Sequence, residues 1–494
     1  MRNFSTNKII SNLNFYFIKI KRNLFSRVLF YYFLSLSIAT LFLMTPWSWV
    51  DSNKSWDFLN SFYMCVSAIS TTGLTIYDLG ENMTVIGQFF ILILILIGGI
   101  GLLFFKFWLF RMLGFIFRFN KKNDIISTRE QHLERGYFRL QNTKEMILIG
   151  FFFIFSVQII GFLILFFYFY FVKIDKLNYY LQLDKSLWSA TFHSVSATNN
   201  AGFDIFKDGI EYNSLESFHK HYLVQFVFVV QFILGGLGFP VFFEFWSKFK
   251  NRKKEGIKTK ITFFTKFVLY SYFLILFFSL IIVFILELSI SSSKLRNEFN
   301  INNFFSVIFN TLSTRSAGYS TVNIDSFFTD ATKHFMIFLM WVGCAPISTG
   351  GGIKVTTFAV LFLSLFRWYD SKNNLLIKNK KSISFFDVIL AYKIVFITFF
   401  IIFVFCTYVL IENLLFTENS LLNAVFYSTS ALGNAGLTLL NPKKIIKGWH
   451  LFKIISIFLM FFGQIGISQI ILLGRNKRNK FANNIETVPQ ETLF

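Results

Sequence analysis

Charged side chains are scarce in this chain of 494 residues: Asp, Glu, Lys and Arg make up 15% of it, whereas hydrophobic residues make up 54%. A soluble globular domain carries roughly 25% charged residues, so that class of protein is excluded. The stretch 150–171 contains no charge and exceeds the roughly 20 residues that one helix needs to span a bilayer. The composition therefore predicts a polytopic protein of the cell membrane.

Residues that build disulfides, metal sites and catalytic centres are also few. The three cysteines, Cys65, Cys344 and Cys406, stand in apolar surroundings without a CxxC pair, so we interpret them as buried small side chains. With six histidines and no paired carboxylates inside the apolar runs, a membrane-embedded enzyme lacks its reactive groups. No P-loop or dinucleotide-binding fingerprint is present, so we expect no tightly bound cofactor in this chain.

Long apolar runs recur along the sequence and predict membrane-spanning helices. They fall near 28–48, 84–110, 146–172, 221–246, 263–289, 333–366, 386–411 and 449–473. Between the two members of each pair lies a shorter, more polar stretch that is too short to span a bilayer. The four stretches align on one glycine each and read DFLNSFYMCVSAISTTGLT, SLWSATFHSVSATNNAGFD, NNFFSVIFNTLSTRSAGYS and SLLNAVFYSTSALGNAGLT. The long period indicates four copies of a whole module, each a helix, a re-entrant helix with its loop, and a second helix.

The net charge of +22 indicates orientation rather than nucleic-acid binding. Of the 48 Lys and Arg residues, 31 lie in the segments 1–27, 106–144, 247–260, 367–381 and 475–494, which we therefore place in the cytoplasm with both termini. The basic segments 118–139 and 248–260 are expected to contact anionic lipid headgroups or an acidic cytoplasmic partner. The predicted organisation is an N-terminal arm (1–27), module 1 (28–110), a linker (111–145), module 2 (146–246), a linker (247–262), module 3 (263–366), a linker (367–385), module 4 (386–473) and a tail (474–494).

The four glycine loops have the chemistry of an ion pathway. A dehydrated K⁺ or Na⁺ ion needs oxygen ligands, and backbone carbonyls that face a narrow pore supply them. Glycine reaches the unusual backbone angles that such a loop requires. The predicted fold is therefore all-α, with four modules around a pseudo-fourfold, potassium-channel-like pore. The candidate selectivity-filter residues are Thr71, Thr72, Gly73, Leu74, Asn200, Ala201, Gly202, Phe203, Ser316, Ala317, Gly318, Tyr319, Asn434, Ala435, Gly436 and Leu437.

Residues 345–352 interrupt the apolar run 333–366. Pro346 removes a backbone donor, and three consecutive glycines, Gly350 to Gly352, weaken a helix, so the span should break into an intramembrane loop. The alternative is a kink that only lets helices pack closely. For the glycine pairs Gly98-Gly99 and Gly235-Gly236, packing and flexing remain equally open. The residues of the interruption are Ala345, Pro346, Ile347, Ser348, Thr349, Gly350, Gly351 and Gly352.

Two basic residues lie where the bilayer makes charge costly. Lys354 is expected to direct its ammonium group at filter-loop carbonyls or a carboxylate and so to add a barrier below the filter, with snorkelling to the interface as the alternative. Arg315 directly precedes a glycine loop, and we expect it to brace that loop through hydrogen bonds to carbonyls rather than to lower cation occupancy.

The loops TTGL, NNAGF, RSAGY and GNAGL, together with Ser348 to Lys354 (STGGGIK), resemble the Trk/Ktr/HKT superfamily of potassium transporters, and most closely its bacterial KtrB membrane subunits. The resemblance implies K⁺ uptake through the four loops, with 345–352 as the gate. It also implies a homodimer regulated by a cytoplasmic KtrA-like nucleotide-binding subunit, through which any nucleotide effect would enter.

The resemblance also bears on ion selectivity and on one departure. Gly73, where sodium-permeable members carry serine, implies preference for K⁺, and a sodium-permeable or Na⁺-coupled transporter is the alternative. Gln464 stands where the family pattern Gly-Arg-x-Gly has arginine, which puts an electrostatic barrier from module 4 in doubt.

Overall fold

The computed structural model describes residues 24–51, 56–100, 143–174, 177, 179–206, 215–255, 261–367, 369, 375–377, 381–383, 385–413, 420–440 and 450–467. Most of the N-terminal arm 1–27 and of the linker 111–145, and the whole tail 474–494, lie outside these residues. All candidate filter and gate residues lie inside them.

The described elements repeat in the order that the sequence predicts. Module 1 contains α1 (Leu24–Leu43), α2 (Phe58–Ile69), α3 (Leu79–Asn82) and α4 (Val85–Ile100). Module 2 contains α5 (Thr143–Phe171), α6 (Leu183–Thr198), α7 (Tyr222–Gly236) and α8 (Phe239–Glu255). Module 3 contains α9 (Phe263–Ser289), α10 (Lys294–Asn297), α11 (Ile301–Ser313), α12 (Ile324–Phe327), α13 (Asp330–Trp341) and α14 (Val355–Phe366). Module 4 contains α15 (Phe385–Asn413), α16 (Ser420–Gly433) and α17 (His450–Ile465).

The modules close into a ring because helices pack across module boundaries. The second helix of each of the first three modules packs against the short helix of the next module: α4 on α6, α7 on α11, and α13 on α16. The last helix, α17, packs against the first short helix, α2. The four short helices α2, α6, α11 and α16 therefore surround a common centre.

The outer surface of the long helices is apolar. Three described helices are long and apolar enough to cross a membrane, namely Leu148–Phe171, Phe263–Ser289 and Phe385–Leu410, and the bent pair α7 and α8 together counts as a fourth. Only 28% of the apolar window is buried in each of the first two. Contiguous apolar surface on this scale would be unstable in water and indicates contact with lipid hydrocarbon.

Two of the predicted apolar runs are broken in the middle. The break between α13 and α14 coincides with the predicted interruption at 345–352. The second break was not predicted: α7 and α8 form an angle of 87°. Its cause is local, because Gly235, Gly236 and Gly238 weaken the helix and Gly238 adopts a φ of 84°. Pro240 then stands in the first turn of α8, where proline is tolerated.

A small hairpin lies in the linker 367–385, which the sequence predicted only as a connection. Strands β1 (Leu375–Ile377) and β2 (Lys381–Ile383) pair in antiparallel fashion, with Leu376 opposite Ser382. The transmembrane part of the described chain is nonetheless helical, as predicted.

Candidate functional site

Each candidate filter loop follows one short helix. Asp57 caps α2 by accepting a hydrogen bond from the backbone N–H of Asn60 at 3.0 Å, and Asn300 caps α11 in the same way. Ser186, at which the second aligned stretch begins, lies inside α6, and Asn302 of the third stretch lies inside α11. All sixteen candidate filter residues are buried.

Two residues in every loop have a left-handed backbone. The first lies two positions before the glycine and is never glycine: Thr71 (φ 52°), Asn200 (54°), Ser316 (67°) and Asn434 (48°). The second is the glycine itself: Gly73 (88°), Gly202 (69°), Gly318 (79°) and Gly436 (81°). Residues other than glycine avoid this conformation, so contacts from the surrounding structure must stabilise the first set.

The four glycines form a closed ring, which we call the glycine ring. A Cβ atom added at each glycine would meet the carbonyl oxygen that precedes the glycine of the next module. The distances are 2.5 Å from Gly73 to Ala201 O, 2.9 Å from Gly202 to Ala317 O, 2.8 Å from Gly318 to Ala435 O and 2.2 Å from Gly436 to Thr72 O. The last contact joins module 4 to module 1, so backbone oxygens and bare Cα atoms converge from all four loops.

The glycine loops are of two kinds, which differ in whether a serine in the last turn of the short helix bonds to the residue after the glycine. In module 2, Ser196 Oγ donates to Phe203 O at 2.9 Å and accepts from the N–H of Phe203. Ser313 bonds in the same way to Tyr319, whose hydroxyl donates to Ser196 Oγ at 2.6 Å. In modules 1 and 4, the residues after the glycines are Leu74 and Leu437, and no such clamp joins them to the corresponding serines, Ser67 and Ser430, in the described residues. The ring is therefore pseudo-fourfold, as predicted.

These serines were not predicted, although their spacing in the sequence is regular. Ser67, Ser196 and Ser430 each stand six residues before the ring glycine of their module, and Ser313 stands five residues before it. The shorter spacing is reflected in the backbone, since the N–H of Ala317 bonds to Ser313 O, four residues back instead of five.

The interruption between α13 and α14 forms a compact loop, residues 342–354, which we call the intramembrane loop. Its two ends pair with each other, and Gly343 N donates to Ile353 O at 2.9 Å. Its middle interlocks with the break in module 2, because Ala345 N donates to Gly236 O at 3.1 Å and Phe239 N donates to Ile347 O at 3.0 Å. The two broken helices thus satisfy each other's backbone groups within the membrane.

The intramembrane loop also contacts the glycine ring. Thr71 Oγ1 lies 3.1 Å from Thr349 O, and Gly351 N donates to Ser316 Oγ at 3.0 Å. The C-terminal half of the intramembrane loop therefore contacts Thr71 and Ser316, which lie two positions before ring glycines.

Comparison with known proteins identifies the family of this chain. The family model described as TrkH, cation transport protein, matches residues 21–483. The chain belongs to the TrkH family of cation transport proteins. It is thus a multi-pass membrane protein and a transporter rather than an enzyme.

Individual TrkH-family members match over nearly their whole length. Ktr system potassium uptake protein B of Bacillus subtilis is 30% identical, with 88% of this chain and 89% of that protein covered. Ktr system potassium uptake protein D of the same organism is 28% identical, with 90% and 92% covered. The crystal structure of the potassium transporter TrkH from Vibrio parahaemolyticus superposes with a TM-score of 0.61 at 18% identity, covering 91% of this chain and 84% of that one. This last similarity establishes the fold.

Arg315 braces the centre of this TrkH-family chain. It is 1% exposed, its Nη2 donates to Gly343 O at 2.5 Å, and its guanidinium lies 5.1 Å from the centre of the Tyr272 ring. This hydrogen bond joins Arg315 to the intramembrane loop and not to the glycine loop that it precedes and that it was expected to brace.

Lys354 directly precedes α14. Its Nζ donates to Gly350 O at 2.8 Å, a carbonyl of the intramembrane loop and not of a filter loop as expected. Lys354 also lines a cavity of about 30 Å³ between modules 3 and 4. Trp341, Thr398 and Gly463 form other parts of its wall.

Gln464 connects module 4 to module 1. Its Nε2 donates to Ile69 O, at the C-terminal end of α2, and its Oε1 accepts from the hydroxyl of Tyr32 at 3.1 Å. The glutamine thus uses both halves of its amide, as its hydrogen-bonding capacity allows, and places no charge there.

The glycine pairs Gly98-Gly99 and Gly235-Gly236 differ in what their missing side chains allow. A Cβ at Gly98 would lie 1.9 Å from Ile69 O, so this pair lets α4 approach the end of α2 closely. Gly235 and Gly236 end α7 at the bend, where their carbonyls accept hydrogen bonds from the intramembrane loop.

Proposed function

We propose that this chain takes up K⁺ through the glycine ring. The observation that carries the proposal is the ring itself, since four backbone carbonyl oxygens and four glycines without side chains meet where the modules converge. Oxygen ligands at fixed spacing replace the water shell of a monovalent cation, and backbone carbonyls supply them without a fixed negative charge. The names of the Ktr relatives, which are potassium uptake proteins, support K⁺ as the ion.

The filter in this proposal comprises four residues per module, from Thr71 to Leu74 in module 1 and the corresponding residues in the others. The short helices contribute as well, because each ends at the ring and directs the negative end of its dipole towards it. Gly73 carries no side-chain hydroxyl at its own position in the first loop. On this basis K⁺ is preferred over Na⁺, and a sodium-permeable or Na⁺-coupled transporter is the competing function.

The intramembrane loop is the proposed gate, with Ala345 to Gly352 as its moving part. It lies against the ring at Thr349 and Gly351, so ions that leave the ring towards the cytoplasm must pass it. Lys354 adds a positive charge at the same level and holds the loop through Gly350 O.

The assembly belongs to the same proposal. We propose a homodimer in the cell membrane, with both termini in the cytoplasm and with basic cytoplasmic segments on anionic lipid. A KtrA-like nucleotide-binding subunit regulates the gate, and nucleotide acts only through that subunit. The concentration of basic residues in the five cytoplasmic segments supports this orientation.

Growth of a cell that lacks its own K⁺ uptake tests the proposal. The chain, expressed alone and with a nucleotide-binding subunit, is expected to restore growth at low K⁺ concentration. Gly73→Ser and Gly202→Ser should raise Na⁺ uptake relative to K⁺ uptake. Unchanged uptake of both ions in these variants would show that the ring does not select the ion.

A further inference from the structure

The residues two positions before the ring glycines all lie against the intramembrane loop. Thr71 Oγ1 lies 3.1 Å from Thr349 O and 2.7 Å from Ser70 O, Asn200 Nδ2 lies 3.7 Å from Cys344 Sγ, and Gly351 N donates to Ser316 Oγ. The fourth residue, Asn434, packs on Gly351, where an added Cβ would lie 2.7 Å from the Cβ of Asn434.

The same four residues have the left-handed backbone that shapes the glycine loops. A non-glycine residue keeps this conformation only when its surroundings hold it there. For Ser316 the holding contacts are visible, because its Oγ lies 2.9 Å from both Gly433 O and Asn434 O of the neighbouring loop. Its single hydroxyl proton serves one of these oxygens at a time, while its lone pair accepts from Gly351 N.

We propose that Thr71, Asn200, Ser316 and Asn434 form a latch between the intramembrane loop and the glycine ring, so that ion occupancy of the ring and the position of the loop are energetically coupled. This inference rests on the proposed function. When the loop moves away, Ser316 loses the N–H of Gly351 and its hydroxyl reorients between modules 3 and 4. The shape of the ring then changes with the loop.

The coupling is reciprocal by thermodynamic necessity. An ion that binds more tightly to the latched ring holds the loop in place, and a loop that is pulled away weakens ion binding by the same factor. Couplings of this kind in proteins correspond to changes of about 5-fold to 150-fold. The latch therefore predicts that K⁺ in the ring slows opening motions of residues 342–354.

Hydrogen exchange of the intramembrane loop tests the latch directly. The purified full chain is placed in lipid nanodiscs, and exchange of the peptide covering 343–351 is measured in K⁺ and in choline. The wild type is expected to exchange at least about 5-fold more slowly in K⁺. Ser316→Ala removes the acceptor of the Gly351 N–H and should exchange faster, with the K⁺ effect lost.

Thr314→Val is the matched control. Thr314 is buried two residues before Ser316, but its hydroxyl bonds to Thr311 O within its own helix, so this variant should keep the K⁺ effect of the wild type. If Ser316→Ala does not fold, Thr71→Val is used instead. It removes the contact of module 1 with Thr349 O in module 3 and should likewise abolish the K⁺ effect on exchange.

The latch proposal is overturned if K⁺ slows exchange in folded Ser316→Ala or Thr71→Val as much as it does in the control Thr314→Val. It is also overturned if K⁺ leaves exchange in the wild type unchanged while the same preparation transports K⁺ in vesicles. Absence of K⁺ transport in vesicles would contradict the proposed function instead, so the two failures are distinguishable.

Discussion

Gly436 lies so close to Thr72 that a Cβ atom at position 436 would stand 2.2 Å from the Thr72 carbonyl oxygen. Because these residues belong to the last and first modules, this contact closes the glycine ring. Two neighbouring contacts reinforce it: Asn434 Nδ2 donates to Ser70 O at 2.5 Å, and Gln464 Nε2 donates to Ile69 O. The closure of the fourfold arrangement therefore depends on module 4 meeting the end of α2.

Alanine at the ring glycines should lower K⁺ transport, and the loss should be larger where the added Cβ is more crowded. All four glycines have positive φ, which alanine adopts only with strain. A Cβ would be most crowded at Gly436, 2.2 Å from Thr72 O, and least crowded at Gly202, 2.9 Å from Ala317 O. We expect Gly436→Ala to lower K⁺ flux more than Gly202→Ala does, at equal amounts of folded protein in vesicles. The reverse order would contradict the ring geometry.

Alanine at Gly98 should destabilise the protein rather than alter ion selectivity. The added Cβ would stand 1.9 Å from Ile69 O, a backbone atom that moves only with the whole end of α2. Overpacking of this kind costs about 1–3 kcal/mol. Thermal unfolding in detergent should therefore shift to lower temperature, whereas the K⁺ to Na⁺ flux ratio of the remaining folded protein should stay that of the wild type. A changed ratio with unchanged stability would favour a flexing role.

Much of this architecture could be predicted from the sequence, because the informative features are local. Three consecutive glycines and Pro346 weaken the interior of a helix whatever packs around it, and the four glycine loops are visible as a repeat in the sequence. The bend after Gly236 was missed although its cause is also local, because the apolar run from 221 to 246 gave a stronger signal than GGLGFP. The hydrogen-bond partners of Gln464 could not be predicted, because they depend on which modules meet in the ring.

Removing the amide of Gln464 should loosen the junction of modules 4 and 1. Gln464→Leu leaves Ile69 O and the Tyr32 hydroxyl without this partner, and an unsatisfied buried polar group costs about 1–3 kcal/mol. We expect lower thermal stability for Gln464→Leu and a smaller loss for Tyr32→Phe, which removes only one of the two hydrogen bonds. A double variant no worse than Gln464→Leu would confirm that the two residues act together. Additive losses would mean that they act independently.

Acid should weaken the loop before α7 through His219. Burial, together with the charge of Lys220, lowers the pKa of His219 below its ordinary value of 6.5, and its Nδ1 lies 2.8 Å from Ser306 Oγ. The unfolded chain therefore binds this proton more readily than the folded chain. Its contribution to stability is complete above pH 6.5 and is lost as the pH falls below that value.

His219→Gln provides the matching variant, because glutamine retains a hydrogen-bonding group for Ser306 but does not titrate in this range. Thermal unfolding of the wild type and of His219→Gln, followed from pH 8 to pH 5, should diverge as the pH falls, with the wild type losing more. Parallel curves would show that His219 does not contribute.

Ion flux through the purified chain in vesicles tests directly whether ions cross through the glycine ring. We expect K⁺ flux that exceeds Na⁺ flux in the wild type, loss of both in folded Gly436→Ala, and wild-type flux in a substitution on the exposed outer surface such as Leu41→Ala. Wild-type K⁺ flux in folded Gly436→Ala would contradict this expectation, because ions would then cross without the glycine ring.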